Sequence, residues 1–305
     1  MKQSLTARAV AVFSATALLA VPALGALANE TKPDATVAAT IEAANPRAFD
    51  AITGGFADVL DAELSATGVG RDSISLAPDY SANATVEDIG NGVDGVRNDN
   101  GSVIVPVEKT DGSVAVNIVI EDSNAPADYR FDLGLPTGAT LNVQPTGAIV
   151  IVDSDGVFLG GVSAPWARDA AGRSLDTHYK VDGSVLVQTV VHNDSLADYP
   201  VVADPWIGVA LIGSWKWAPY LSGEKLSVNP TLWARSLVPA QLPAWAGWDE
   251  LITKTPKANL SKWRITLQGQ YICHGTGGVI EPVWDLETTR PVVSTWTMLT
   301  KLCNP

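Results

Sequence analysis

The chain has 305 residues, with 33 acidic side chains against 20 basic ones, two cysteines and three histidines. A net charge of −13 argues against nucleic acid as a partner, because phosphate backbones are bound by clustered Lys and Arg. With so few histidines and cysteines, and no CxxC spacing, the three or four ligands of a transition-metal site are not assembled.

At the N-terminus, Lys2 and Arg8 are basic, no acid precedes Glu30, and Ala9 to Leu19 is apolar apart from Ser14 and Thr16. Pro22 and Gly25 close that core ahead of Ala26-Leu27-Ala28, a small-x-small cleavage site. These are the three parts of a secretory signal peptide, so residues 1–28 are expected to direct export and Asn29 to begin the mature protein. The apolar core is shorter than the roughly 20 residues a membrane span requires, and an uncleaved anchor is the alternative. Neither a twin-arginine pair nor a cysteine at the cleavage point is present, which favours general secretion. No later stretch is apolar enough to span a bilayer, so the expected location is outside the cell or at its envelope, without a transmembrane anchor.

Residues 29–70 are predicted to be mainly helical. Thr36 to Glu42 and Phe49 to Leu64 read as a pair of short amphipathic helices, Phe49, Ile52, Phe56, Val59, Leu60 and Leu64 recurring at three- and four-residue steps; Asn45-Pro46 breaks the run and Gly68 ends it. From 71 to 204 the period changes to two. Val114, Val116, Ile118 and Ile120 share one face, with Ala115, Asn117, Val119 and Glu121 on the other. Similar runs fall at 102–108, 128–134, 139–143, 147–152, 157–162, 176–181, 184–192 and 199–203. Turn pairs separate them: Asn100-Gly101, Asp111-Gly112, Thr137-Gly138, Thr146-Gly147, Asp155-Gly156 and Asp182-Gly183. No helical pattern is interleaved, so an antiparallel β-sandwich or meander is expected rather than a parallel α/β sheet.

Composition changes near Pro205. Between Asn29 and Asp204 nine Lys and Arg face twenty-seven Asp and Glu, a net of −18; from Pro205 onward nine face six, a net of +3. All five phenylalanines precede residue 159, and nine of ten tryptophans lie at or after Trp206. A domain boundary is expected there, with a small α+β domain over 205–305. The acidic part repels nucleic acid and anionic lipid, and equally serves solubility. Within the second part, Trp206 to Trp217 reads as a strand, Pro243 to Lys254 as a helix, and Trp263 to Ile272 as a further strand. The overall class is therefore mainly β, preceded by short N-terminal helices and followed by that small α+β domain.

Two stretches carry a resemblance. Tyr129 to Pro205, which contains Tyr199-Pro-Val-Val-Ala-Asp-Pro205, resembles a β-rich module of secreted actinobacterial proteins that ends in YPVV-x-DP. The C-terminal hundred residues resemble a family known as a domain of unknown function. The matching pieces are Leu226-Ser-Val-Asn-Pro-Thr231, Gln270-Tyr-Ile-Cys-His274, Trp284-Asp-Leu-Glu287, Arg290-Pro291 and Cys303-Asn-Pro305. The resemblance implies secretion and this layout, but no activity.

Candidate chemistry is sparse. Cys273 and Cys303 are expected to pair outside the cytoplasm, which on a chain-entropy model stabilises by roughly 3–4 kcal/mol for a loop of about 31 residues. A catalytic or metal-binding cysteine is the alternative. Asp153-Ser-Asp-Gly156 begins like a calcium loop, but Val157 and Ala164 occupy the fifth and twelfth places, so a hairpin turn is expected. No GxSxG elbow and no GK[ST] loop occurs, and no cofactor is expected. His274 is the one candidate general base, with Glu281, Asp285 or Glu287 to orient it; a polar loop residue is the plainer reading. Surface aromatics are the other candidates. Trp215 and Trp217 share a strand face, and Trp245 and Trp248 a helix face, where they would stack on sugar rings or meet a membrane interface if not in the core. The leading expectation is a non-enzymatic secreted protein that binds an envelope glycan or another protein. A secreted hydrolase or toxin-like effector using His274 is the alternative, and a membrane-active C-terminal part a third.

Overall fold

Valine and isoleucine crowd both faces of the strands at the centre of this protein, and the layers around them follow from that. The computed structural model describes residues 36–53, 64–68, 72–90, 92–193, 196–237, 241–277 and 281–305. The expected signal peptide at 1–28, and Phe56, Val59 and Leu60 of the expected N-terminal helix, lie outside the described residues.

In chain order come α1 (Val37–Ala44), β1 (Leu64–Ala66), β2 (Ile74–Pro78), β3 (Thr85–Asp88), β4 (Asp94–Arg97), β5 (Ser102–Glu108), β6 (Val114–Ile120) and β7 (Asp128–Gly134). They are followed by β8 (Thr140–Val143), β9 (Ile149–Val152), β10 (Phe158–Val162), β11 (Trp166–Arg168), β12 (Thr177–Asp182), β13 (Val185–Val190), β14 (Val201–Asp204) and β15 (Trp206–Gly208). One sheet has the order β1-β2-β7-β13-β12. A ten-stranded sheet runs β3-β4-β5-β6-β15-β10-β9-β8, with β14 beside β6 and β11 beside β14. The described strands pair antiparallel throughout, and the protein is mainly β. All six Xaa-Gly pairs read as turns put their glycine in the left-handed region. At Gly112 that geometry combines with a close approach: a Cβ would lie 2.6 Å from the Thr67 carbonyl oxygen.

Between the two sheets, Val114, Val116, Ile118 and Ile120 of β6 meet Phe131 and Leu133 of β7 and Leu186 of β13. The alternation also put Val119 and Asn117 on a second face, and that face is buried as well. There α1 lays Ala38, Ile41 and Ala44 against Val103, Val105, Val119 and Val202. The α1 helix starts where the Thr36 hydroxyl accepts from the Ala39 N–H and ends at Asn45, at the expected break, whereas Phe49 and Ile52 of the second expected helix lie in a turn and an isolated bridge to Lys109. Leu64, read as helical, instead lies in β1, where pairing with β2 carries it into the sandwich core.

After Asp204 the chain continues as β16 (Ile212–Tyr220), β17 (Gly223–Pro230), α2 (Leu232–Ser236), α3 (Gln241–Lys254), α4 (Arg264–Gly277), β18 (Trp284–Glu287) and α5 (Thr295–Thr300). β16, β17 and β18 form a three-stranded sheet. Its inner face, Leu226, Val228, Trp284 and Leu286, packs on Trp248 and Leu251 of α3 and on Leu267 and Tyr271 of α4. Two expectations are corrected here. Trp263 to Ile272, read as a strand, lies mostly in helix α4. Leu267 and Tyr271, four apart, enter the core together, whereas Ile265, which alternation had placed beside Leu267, is 63% exposed. Trp206 to Trp217, read as one strand, is two. The chain turns where the buried Glu250 carboxylate accepts the N–H groups of Leu211 and Ile212 at 3.0 and 3.1 Å. Lys254 neutralises Glu250 at 2.7 Å and also donates to the Ile212 carbonyl.

Trp233 of α2 fastens this part to the large sheet. It is fully buried among Val150, Val152, Phe158 and Leu211, and its indole N–H donates to the Trp206 carbonyl at 3.2 Å. The ring lies so close to β15 that a Cβ on Gly208 would come within 2.3 Å of it. Truncating Trp233 to alanine should therefore cost about 3–5 kcal/mol. The same change at the exposed Trp296 should stay within about 0.5 kcal/mol. Denaturant unfolding of the two variants beside wild type checks the contrast.

Candidate functional site

His274 lies in the last turns of α4, next to Cys273, whose disulfide to Cys303 has an S–S distance of 2.06 Å. It is thus a helical residue with a completely buried side chain, not a loop residue. The ring stacks on Trp284, centroids 5.6 Å apart and planes 11° from parallel, and the Arg235 guanidinium lies 5.9 Å from the same indole. Among the described residues neither ring nitrogen has a hydrogen-bond partner. Burial pushes the imidazole down to about 4 despite the opposing charge of Asp285, so the ring is neutral at physiological pH.

The three carboxylates proposed as its orienting acid are held elsewhere. Glu281 is exposed. Asp285 is on the opposite face of β18 from Trp284 and accepts from Lys225 at 2.6 Å and Ser227 at 2.5 Å. Its burial raises the pKa, but those two hydrogen bonds and the charge of Lys225 act together to leave the group below the ordinary carboxylate value. Glu287 is buried and paired with Arg290, while Gln270 bonds both backbone groups of Glu287. The other histidines have separate settings. His192 is buried, Nε2 donating to the Pro126 carbonyl at 3.1 Å and Nδ1 lying 2.9 Å from the Tyr199 hydroxyl. His178 is exposed on β12.

The tryptophans divide between core and surface. Trp248 is fully buried beside Tyr271, whereas Trp245, one turn earlier, is 48% exposed. Trp217 is half-buried, its indole donating to Thr255 at 2.9 Å, with its ring 5.8 Å from Trp263 and capped by Lys257 at 4.5 Å. Trp215, on the same strand face, is 39% exposed. The most exposed indole is Trp296 of α5, at 75%, which was not among the four singled out from the sequence. The signal for it was local. Ser294 is an N-cap, and Trp296, Leu299 and Leu302 follow at three-residue steps around the inward-facing Met298.

Two clefts lie where the C-terminal part meets the large sheet. One of about 700 Å³ is rich in hydroxyls, including Ser65, Thr67, Thr110 and Ser113. The other, about 410 Å³, is lined by Asp50, Lys109, Asp111, Asp204, Trp206 and Arg235 among others. Two of its cations are engaged: Lys109 donates to the carbonyls of Arg47, Ala48 and Asp50, and Arg235 to those of Glu281 and Pro282. Asp204, from the YPVVADP segment, accepts from the Trp166 indole, while its Oδ1 is buried without a partner among the described residues. Burial pushes its carboxyl up to about 8. Among the described residues no three His, Cys, Asp or Glu are placed to hold a metal ion. At Asp153 the carboxylate accepts the N–H groups of Asp155 and Val157, both at 2.8 Å, as a hairpin turn requires.

Residues 212–305, from β16 through the disulfide, match the family described as "Protein of unknown function (DUF2599)". The chain is also 32% identical over 119 residues to "Uncharacterized protein Rv0477" of Mycobacterium tuberculosis and "Uncharacterized protein Mb0487" of Mycobacterium bovis, covering 34% of itself and 78% of each relative. The chain belongs to the DUF2599 family. No solved structure matches it. The DUF2599 segment thus contains His274, the disulfide and the exposed tryptophans, and excludes Asp204.

The two displaced titrations oppose each other. Asp204 keeps its proton in the fold up to about 8, against 3.8 ordinarily, so its contribution is full below about 4 and is lost as pH rises to about 8. His274 favours the neutral ring down to about 4, against 6.5 ordinarily, so its contribution is full above about 6.5 and is lost as pH falls to about 4. Asp204→Asn should raise the melting temperature at pH 8 and flatten the alkaline decline. His274→Leu should flatten the acid decline. Thermal melts of both variants from pH 3.5 to 8.5 check this.

Proposed function

We propose that this protein is exported by the signal in residues 1–28 and works outside the cytoplasm as a non-enzymatic binding protein. Its acidic β-rich part carries a Trp-rich, disulfide-closed DUF2599 part that engages an envelope component or another protein. The observation that carries this reading is the exposure of Trp215, Trp245 and Trp296 on the DUF2599 part. Large aromatics left in water are the usual anchors of binding surfaces. The Cys273–Cys303 disulfide supports an oxidising compartment. No helix among the described residues is long and apolar enough to cross a membrane. The hydrolase alternative has less support, because the base it needs has neither an orienting partner nor access to solvent.

Protein starting at Asn29 should be retained when pelleted with mycobacterial envelope fractions. Trp245→Ala and Trp296→Ala together should weaken retention at least tenfold, in line with the loss of aromatic hot spots. His274→Leu, with folding verified by its melt, should bind as wild type does. Absence of retention, or a hydrolytic activity abolished by His274→Leu, contradicts the proposal.

A further inference from the structure

The surface of α5 is apolar where a small exported protein is expected to be polar. Trp296, Leu299 and Leu302 follow one another at three-residue steps, and all three are exposed. Beside them α4 presents Ile265. A Cβ on Gly269, one turn along α4 from Ile265, would touch the Met298 methyl at 3.3 Å, which places α5 against that face of α4. Val292, also exposed, leads into α5. Together these five side chains expose on the order of 500 Å², the size of the largest apolar patch on a typical monomer, which is often functional. It falls short of the roughly 800 Å² per partner that a stable dimer buries.

The exposed charges on α4, on α5 and at their ends have one sign. Lys262 and Arg264 at the start of α4 and Lys301 at the end of α5 are exposed and make no ion pair with any described residue. No Asp or Glu occurs between residues 251 and 280 or after Glu287, and Glu287 itself is buried and paired with Arg290. An indole on an apolar ridge, collared by cations that make no ion pair, one of them (Lys262) over the Trp263 ring at 3.9 Å, matches the interface of an anionic bilayer. There the ring sits at headgroup depth and the cations meet lipid phosphates. The excess of acids that repels such a surface is confined to the stretch from Asn29 to Asp204, where the net charge is −18.

We infer that the α5 ridge, with Lys262, Arg264 and Lys301 as its collar, is a docking surface for the anionic headgroups of a lipid bilayer. The inference rests on the binding reading above and names its partner.

The test is co-sedimentation of the protein starting at Asn29 with vesicles of phosphatidylcholine alone and with about a third phosphatidylglycerol. Binding should appear only with the anionic vesicles and weaken as salt rises. Trp296→Ser with Leu299→Ser should reduce it roughly tenfold or more, and Arg264→Glu with Lys301→Glu should reduce it by a similar factor and remove the salt dependence. Each altered side chain is exposed, and circular dichroism melts confirm that the variants fold. Absence of binding to anionic vesicles, equal binding to both kinds, or binding indifferent to both variants overturns the inference. So does a dimer in sedimentation equilibrium that Trp296→Ser dissociates, since a second copy would then be the occupant. Retention by envelope fractions without vesicle binding removes the lipid assignment alone; loss of both removes the binding reading as well.

Discussion

One tryptophan against one glycine determines how the two compositionally different parts of this chain are joined. Trp233 lies flat on β15 because Gly208 offers no side chain there, and the sheet supplies Val150, Val152 and Phe158 around the ring. Close packing of this kind tolerates neither a methyl group at 208 nor a smaller ring at 233. The Glu250–Lys254 pair acts on the same junction from the other side, holding the turn between β15 and β16 by its backbone N–H and C=O groups. Hydrophobic insertion and a satisfied buried ion pair thus operate within a few residues of each other. The basic, aromatic part is anchored to the acidic sheet despite their different compositions.

The polar groups buried elsewhere do similar work. Lys109 ties the turn after α1 to the end of β5 through three carbonyls, and Gln270 ties α4 to β18 through both backbone groups of Glu287. His192 and Tyr199 join the chain before β14 to the loop at Pro126. Each adds a side-chain tie between segments distant in the sequence. Asp204 and His274 differ, since each keeps a polar atom without a partner and each resists its charged form. Groups of this kind are costly to bury. The structure tolerates both by holding them neutral.

Much of the β architecture was legible in the sequence because antiparallel pairing leaves a local record. Alternation marked β5, β6, β7, β12 and β13, and Asn or Asp before glycine marked several of the turns between them. What pairing leaves unrecorded was missed. Strands β3 and β4 are short and largely polar, so nothing in their composition distinguishes them from loop. The burial of Val119 and Asn117 depends on α1 arriving from far away in the chain. At α4 two periods competed: Trp263, Ile265 and Leu267 alternate, but Leu267 and Tyr271 are the residues the core receives. The candidate site was legible to a lesser degree. His274 is conspicuous by its neighbours, yet its enclosure by Trp284 comes from a strand that the sequence did not reveal. Likewise, exposure separates Trp296 from Trp248, and exposure is a property of the assembled surface.

The disulfide between Cys273 and Cys303 bears on more than the stability of the loop it closes. The six residues of α5 are too few to hold a helix by themselves, and Met298 is its one deeply buried side chain. The position of α5 on α4 therefore depends on an oxidised bond close to its end. In a reducing compartment the same chain lacks this brace, and α5 is held on α4 by Met298 and its neighbours alone. The redox state of the surroundings thus bears on how firmly this face is held as well as on the stability of the loop.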